Sequence, residues 1–158
     1  MTTDRREFLI QGAGALTGFA LLPSLEGLSA VPADGLAVAI VGMGRQGRAI
    51  AGELQKIEGV NIVAICDVDA PRLRSGGRRV QGAAAFADHG ELLEKTPGAQ
   101  AVFVATPTHQ HLEVVKDCLS AGRHVYCEAP LAHTIADARA IADAARVSDR
   151  VFQVADKA

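Results

Sequence analysis

The chain has 158 residues, room for about one domain, and 49% apolar with 22% charged residues is an ordinary globular composition. Sixteen basic against 18 acidic residues leave a net charge of −2, so the basic footprint that a phosphate backbone needs is missing and nucleic acid is excluded as an expected partner. No Trp and a single Tyr leave no aromatic platform for stacking on bases.

The first residues are set aside before any fold argument. Arg5-Arg6 followed by Phe8-Leu9, then a weakly apolar stretch from Leu9 to Leu22, resembles a twin-arginine export signal. That stretch is too short to span a bilayer, and small residues at Leu28-Ser29-Ala30 and Val31-Pro32-Ala33 suit a cleavage site. Residues 1–33 are therefore expected to be signal peptide and linker, outside any sheet, and 34–158 a single domain in the periplasm or outside the cell. A frayed amphipathic helix on a cytoplasmic protein is the alternative.

From Leu36 strands and helices alternate. Leu36 to Val41 is an unbroken apolar run, the mark of a parallel strand buried on both faces. A helix is predicted from about Arg45 to Ile57, with Ile50, Leu54 and Ile57 on one side. Val60 to Cys66 repeats the buried-strand pattern, and Pro71 suits the first turn of a short helix over 71–79. Ala83 to Phe86 is a weak strand, after which Asp88-x-x-Glu91 caps a helix holding Leu92 and Leu93. Ala101 to Ala105 is the fourth strand, followed by a helix from His109 to Ala121 that Gly122 stops. His124 to Cys127 is the fifth strand. Thr134-x-x-Asp137 opens a helix presenting Ile135, Ala138, Ile141, Ala142 and Ala145 to the sheet, and Val151 to Val154 is the sixth strand. Regular alternation implies right-handed crossovers and an α/β fold, a doubly wound parallel sheet of Rossmann type with strand order 3-2-1-4-5-6.

The chemistry begins at Gly42-Met43-Gly44-Arg45-Gln46-Gly47, between the first strand and the first helix. Gly42 permits the tight turn, Gly44 lets backbone approach a pyrophosphate, and Gly47 lets helix and strand close up, while the helix N-terminus offers N–H donors. Such turns also occur in methyltransferases, which bind S-adenosylmethionine. Asp67 ends the second strand, 20 residues past Gly47, where a carboxylate accepts from the adenosine ribose hydroxyls and disfavours a 2′-phosphate. NAD is therefore expected ahead of NADP, a preference that Arg72 and Arg74 temper. A solvated turn or helix cap before Pro71 is the bland account of Asp67. Cys66, Cys118 and Cys127 lack metal-ligand spacing and read as small buried apolar residues, so no metal is expected. His89 falls in a predicted cap, and His124 and His133 are explained by a strand start and a loop.

Four segments in order, the glycine turn, Ile65-Cys66-Asp67-Val68-Asp69, Ala105-Thr106-Pro107-Thr108-His109-Gln110-His111 and Gly122-Arg123-His124-Val125-Tyr126-Cys127-Glu128-Ala129-Pro130-Leu131, resemble the N-terminal half of the glucose-fructose oxidoreductase and inositol dehydrogenase (Gfo/Idh/MocA) family. The resemblance covers about residues 36–154. It implies a nicotinamide-dependent oxidoreductase acting on sugars or polyols, with Gly42 to Gly47 at the pyrophosphate, Asp67 at the ribose, and Thr106, Pro107, His109, His111 and Glu128 on the nicotinamide side. Both histidines also suit an exposed first helical turn.

Two departures bear on activity. Ala129 stands where the family has the lysine of Glu-Lys-Pro, and a methyl group can neither donate a hydrogen bond nor tune proton transfer. The family's substrate domain, which carries the acid/base group, is expected to be absent from these 158 residues, so no catalytic residue is assigned and a truncated enzyme or a non-catalytic nucleotide-binding module are both open. An exported relative would have to recycle one bound NAD, either by coupling two half-reactions or by a redox-neutral sequence such as NAD-assisted glycoside cleavage. Subunit association is left open.

Overall fold

The computed structural model describes residues 35–155; the expected leader, 1–33, lies outside the described residues. Six strands form one sheet in the order β3-β2-β1-β4-β5-β6, all neighbours parallel. The strands are β1 (Leu36–Val41), β2 (Val60–Cys66), β3 (Ala84–Phe86), β4 (Ala101–Val104), β5 (His124–Cys127) and β6 (Phe152–Val154). Between them run α1 (Arg45–Leu54), α2 (Ala70–Arg79), α3 (His89–Lys95), α4 (His111–Ser120) and α5 (Ile135–Val147). This is the doubly wound Rossmann sheet that the alternation implies.

The period of two along a strand sends alternate side chains of β1 into two separate cores. Val38 and Ile40 join Ala51, Leu54, Ile65 and Val80 on the face covered by α1 and α2. Ala39 and Val41 join Leu92, Val114, Cys118 and Ile141 on the face covered by α3, α4 and α5. Burial on both sides is why the run from Leu36 to Val41 is apolar throughout, each large side chain contributing about 1.5–3 kcal/mol. Three helices open on side-chain caps. Asp69 accepts from the Arg72 N–H at 2.8 Å, Asp88 from Glu91 at 2.9 Å and Thr134 from Asp137 at 3.0 Å, each worth about 1 kcal/mol.

The helices differ from expectation in three places. The first stops at Leu54 rather than Ile57, because its last N–H groups tighten into i−3 bonds (Lys56 to Glu53, Ile57 to Leu54) and Gly59, at φ +78°, turns the chain into β2. Ile57 is left 54% exposed. The segment after Pro107 divides into a 3-10 turn, Thr108–Gln110, and then α4. Ile135 does not face the sheet and is 73% exposed; six residues of helix separate it from buried Ile141, a rotation of about 240° at 3.6 residues per turn. No helix among the described residues is long and apolar enough to cross a membrane.

Candidate functional site

The loops leaving β1, β2, β3 and β4 enclose a crevice of about 630 Å³ at the C-terminal edge of the sheet, the position where open α/β sheets bind ligands. One wall is the glycine turn, and its three glycines differ in kind. Gly42 has φ +97°, and a Cβ there would lie 2.6 Å from the carbonyl carbon and oxygen of Ala105. A Cβ on Gly47 would run into the Gly42 carbonyl, so that glycine exists to let α1 close on the turn. Gly44 lies in the crevice wall with nothing within 4 Å of where its Cβ would be. No protein contact asks for glycine at position 44; the space is on the ligand side.

The turn is held from two directions. Asp67 accepts the Met43 N–H at 2.7 Å, and the Arg48 guanidinium donates to the Met43 carbonyl at 2.8 Å. The Met43 side chain is fully buried in the core under α2, so only its backbone takes part in the turn. Beyond it α1 begins with Gly44 as its N-cap, no side-chain cap and no acid in its first turn. Where α2, α3 and α5 spend a side chain on their first N–H groups, α1 presents them bare to the crevice beside Gly44, Arg45 and Gln46. Bare N–H groups, the positive end of the helix and room for close approach fit a diphosphate.

Asp67 is 7% exposed and forms part of the same wall. It is not the helix cap; Asp69 is, and the Asp67 Oδ1 accepts the Asp69 N–H at 2.8 Å. Two backbone bonds use two of roughly four lone-pair directions of the carboxylate, leaving capacity for a sugar diol. Arg72 stands in the wall nearby. From β4, Thr106 and Pro107 close the opposite side, and the Thr106 Oγ1 is buried with no hydrogen-bond partner among the described residues. An orphaned hydroxyl in a crevice wall is a place for a ligand atom.

Other expected site residues lie elsewhere. His111 does not line the crevice: it is 1% exposed and packed between the loops after β4 and β5, its Nε2 2.9 Å from the Thr106 carbonyl and its Nδ1 3.1 Å from that of Leu131. His109 is exposed on the 3-10 turn, outside the crevice wall, its ring edge-on to His133 with centroids 6.1 Å apart. Glu128 is buried and meets the crevice through Gln46, whose amide donates to it at 2.9 Å. His89, given no role from sequence, lies in the crevice wall with Glu113. His89, Glu113 and Asp117 bring potential ligand atoms within 4.8 Å of one another, the His89 Nε2 at 2.8 Å from Asp117. The i, i+4 spacing of Glu113 and Asp117 was visible, but nothing local pointed to their meeting His89. The three cysteines are buried, and burial pushes each thiol up to about 12, so they are inert apolar filling as their spacing suggests.

An uncapped helix after a glycine turn, with an acid ending the adjacent strand, defines a dinucleotide-binding Rossmann domain. Residues 36–156 match the profile of the Gfo/Idh/MocA oxidoreductase family, NAD-binding Rossmann fold, and the chain belongs to that family. It is 33% identical over 115 residues to a myo-inositol 2-dehydrogenase of Thermotoga maritima, covering 73% of this chain and 34% of that one. It is 29% identical over 136 residues to a glycosyl hydrolase family 109 protein of Shewanella, covering 80% and 30%. Among solved structures it is similar to the WlbA dehydrogenase from Chromobacterium violaceum, crystallised with NADH and UDP-GlcNAcA, with a TM-score of 0.75 and 28% identity over 79% of this chain and 36% of that one. The chain thus spans about a third of the length of the relatives it matches.

Proposed function

We propose that this chain is the cofactor-holding part of an exported oxidoreductase acting on sugars or polyols. The observation that carries the reading is the meeting, in one crevice, of α1's bare N-terminus, the open space at Gly44 and the Asp67 carboxylate. In this assignment the N–H groups of Gly44, Arg45 and Gln46 hold the pyrophosphate, Asp67 holds the adenosine ribose, and Thr106 and Pro107 form the wall toward the nicotinamide. When bound, NAD supplies a hydride acceptor. The chain's own residues bind and orient it: Asp67 and Arg48 keep the turn in shape, His111 joins the β4 and β5 loops, and Gln46 with Glu128 ties α1 to β5. Ala129 offers no proton to a reacting hydroxyl. Likeness to inositol dehydrogenases supports a polyhydroxylated substrate. Isothermal titration with NAD, followed by Asp67→Ala, tests the site; the reading expects binding that weakens at least about tenfold.

A redox-neutral glycoside cleavage on tightly held NAD is a second reading, favoured by the similarity to the glycosyl hydrolase family 109 proteins. Export rests on Arg5-Arg6 and the apolar stretch behind them. Residues 1–33 fused to a folded reporter should carry it out of the cytoplasm, and Arg5→Lys with Arg6→Lys should strand it there; export of the double variant at the original level removes the proposal.

A further inference from the structure

The sheet separates charge as well as apolar side chains. From Gly42 to Gly82, the span that builds α1 and α2, six arginines and Lys56 stand against Glu53, Glu58, Asp67 and Asp69. From Ala83 to Ala155, the span that builds α3, α4 and α5, six basic residues stand against nine acidic ones. The crevice takes its charged lining from both: Arg45, Arg48 and Arg72 from α1 and α2, Asp88 and Glu113 from the start of α3 and from α4. On the basic side the nearby acids are engaged. Glu53 pairs with Lys56, Asp67 accepts two backbone N–H groups and Asp69 caps α2. None of the six arginines forms an ion pair among the described residues.

Local helix physics accounts for only part of this. The dipole of α2 suits Arg78 and Arg79 in its last turn but opposes Arg72 in its first. Arg74 stands four residues before Arg78, a spacing at which like charges repel. Arg79 lies against α1, its guanidinium donating to the carbonyl of the crevice-lining Arg48 at 3.3 Å. Like charges gathered beside a crevice raise the encounter rate of an anion.

We propose that the arginines of α1 and α2 form a capture field that draws an anionic dinucleotide to the crevice and sets its association rate, while the contacts in the wall set its dissociation. The proposal rests on the cofactor reading above.

The test follows NADH, whose diphosphate carries two negative charges and whose reduced nicotinamide carries none, by stopped-flow fluorescence anisotropy with the full chain. Sodium chloride is varied from about 0.01 to about 1 M, which shortens the screening length from about 30 Å to about 3 Å. Association should slow by about tenfold or more across the series, with a much smaller change in dissociation. Arg74→Glu reverses an exposed charge outside the crevice wall and sets an acid four residues before Arg78, which supports the helix. It should keep the thermal midpoint, slow association about three- to fivefold at low salt and leave dissociation unchanged. Arg139→Glu makes the same change in net charge at an exposed position on α5 and should alter association by less than about 1.5-fold. Equal slowing in the two variants, association indifferent to salt, or an Arg74→Glu effect confined to dissociation overturns the capture field and leaves the cofactor site standing. No NADH binding at any salt concentration overturns the cofactor site and the capture field with it.

Discussion

Replacing Gly44 and Gly42 separately by alanine distinguishes a glycine required by a ligand from one required by the fold. At Gly42 the residue sits at φ +97°, and a Cβ would lie 2.6 Å from the carbonyl atoms of Ala105 and 2.8 Å from the Thr106 nitrogen. The conformation costs about 1–2 kcal/mol for an L-residue, and crowding against backbone that cannot swing aside adds about 1–3 kcal/mol. Gly42→Ala should therefore lose roughly 2–5 kcal/mol, a large part of a typical domain's 5–15 kcal/mol. Gly44 is at φ −64° with nothing within 4 Å, so Gly44→Ala should change stability by no more than about 0.5 kcal/mol. Its methyl group would occupy the side from which a diphosphate approaches the α1 N–H groups, and NAD affinity should fall by about tenfold or more. Urea unfolding reads the first quantity and calorimetric titration the second. If Gly44→Ala unfolds as readily as Gly42→Ala, or binds NAD like the parent chain, the separation of roles is wrong.

Three further perturbations follow from the same contacts. Asp67→Ala removes the acceptor of the Met43 and Asp69 N–H groups; it should lower the unfolding free energy by about 1–3 kcal/mol and speed amide exchange at Met43. His111→Phe leaves the carbonyls of Thr106 and Leu131 without their ring partner, and a loss of about 2 kcal/mol in urea unfolding is expected. The thiols ordinarily ionise near 9 and are held by burial at about 12. Since the folded value is the higher one, their contribution is intact below pH 9 and fades as pH rises toward 12. Ellman's reagent at pH 8 should leave all three unmodified until denaturant is added, and the thermal midpoint should fall above pH 9 less steeply in Cys118→Ala.

Strand positions were readable because a parallel strand covered on both faces needs an apolar run, and Leu36 to Val41, Val60 to Cys66 and His124 to Cys127 begin and end where the runs do. The glycine turn and Asp67 were readable because their spacing is set by one strand-turn-helix unit. What spacing could not express is which side chain meets which across the sheet. Asp67 bonds a backbone group 24 residues away, Gln46 reaches Glu128 across 82 residues, and His89 meets Asp117 across 28. His111 illustrates the limit: the Thr-Pro-x-x-x-His pattern places it beside the nicotinamide loop, yet α4's register turns its ring inward to brace two loops. Met43 is a second case, a position inside the nucleotide fingerprint whose side chain belongs to the core.

The claim from which the other expectations follow is that this crevice holds an adenine dinucleotide by its diphosphate and ribose. Titrating the full chain in parallel with NAD and NADP measures that directly. One saturable site per chain is expected, tighter for NAD by about tenfold because the Asp67 carboxylate opposes a 2′-phosphate. No heat with either dinucleotide would contradict it, and tighter binding of NADP, with Arg72 prevailing over Asp67, would overturn the preference for NAD.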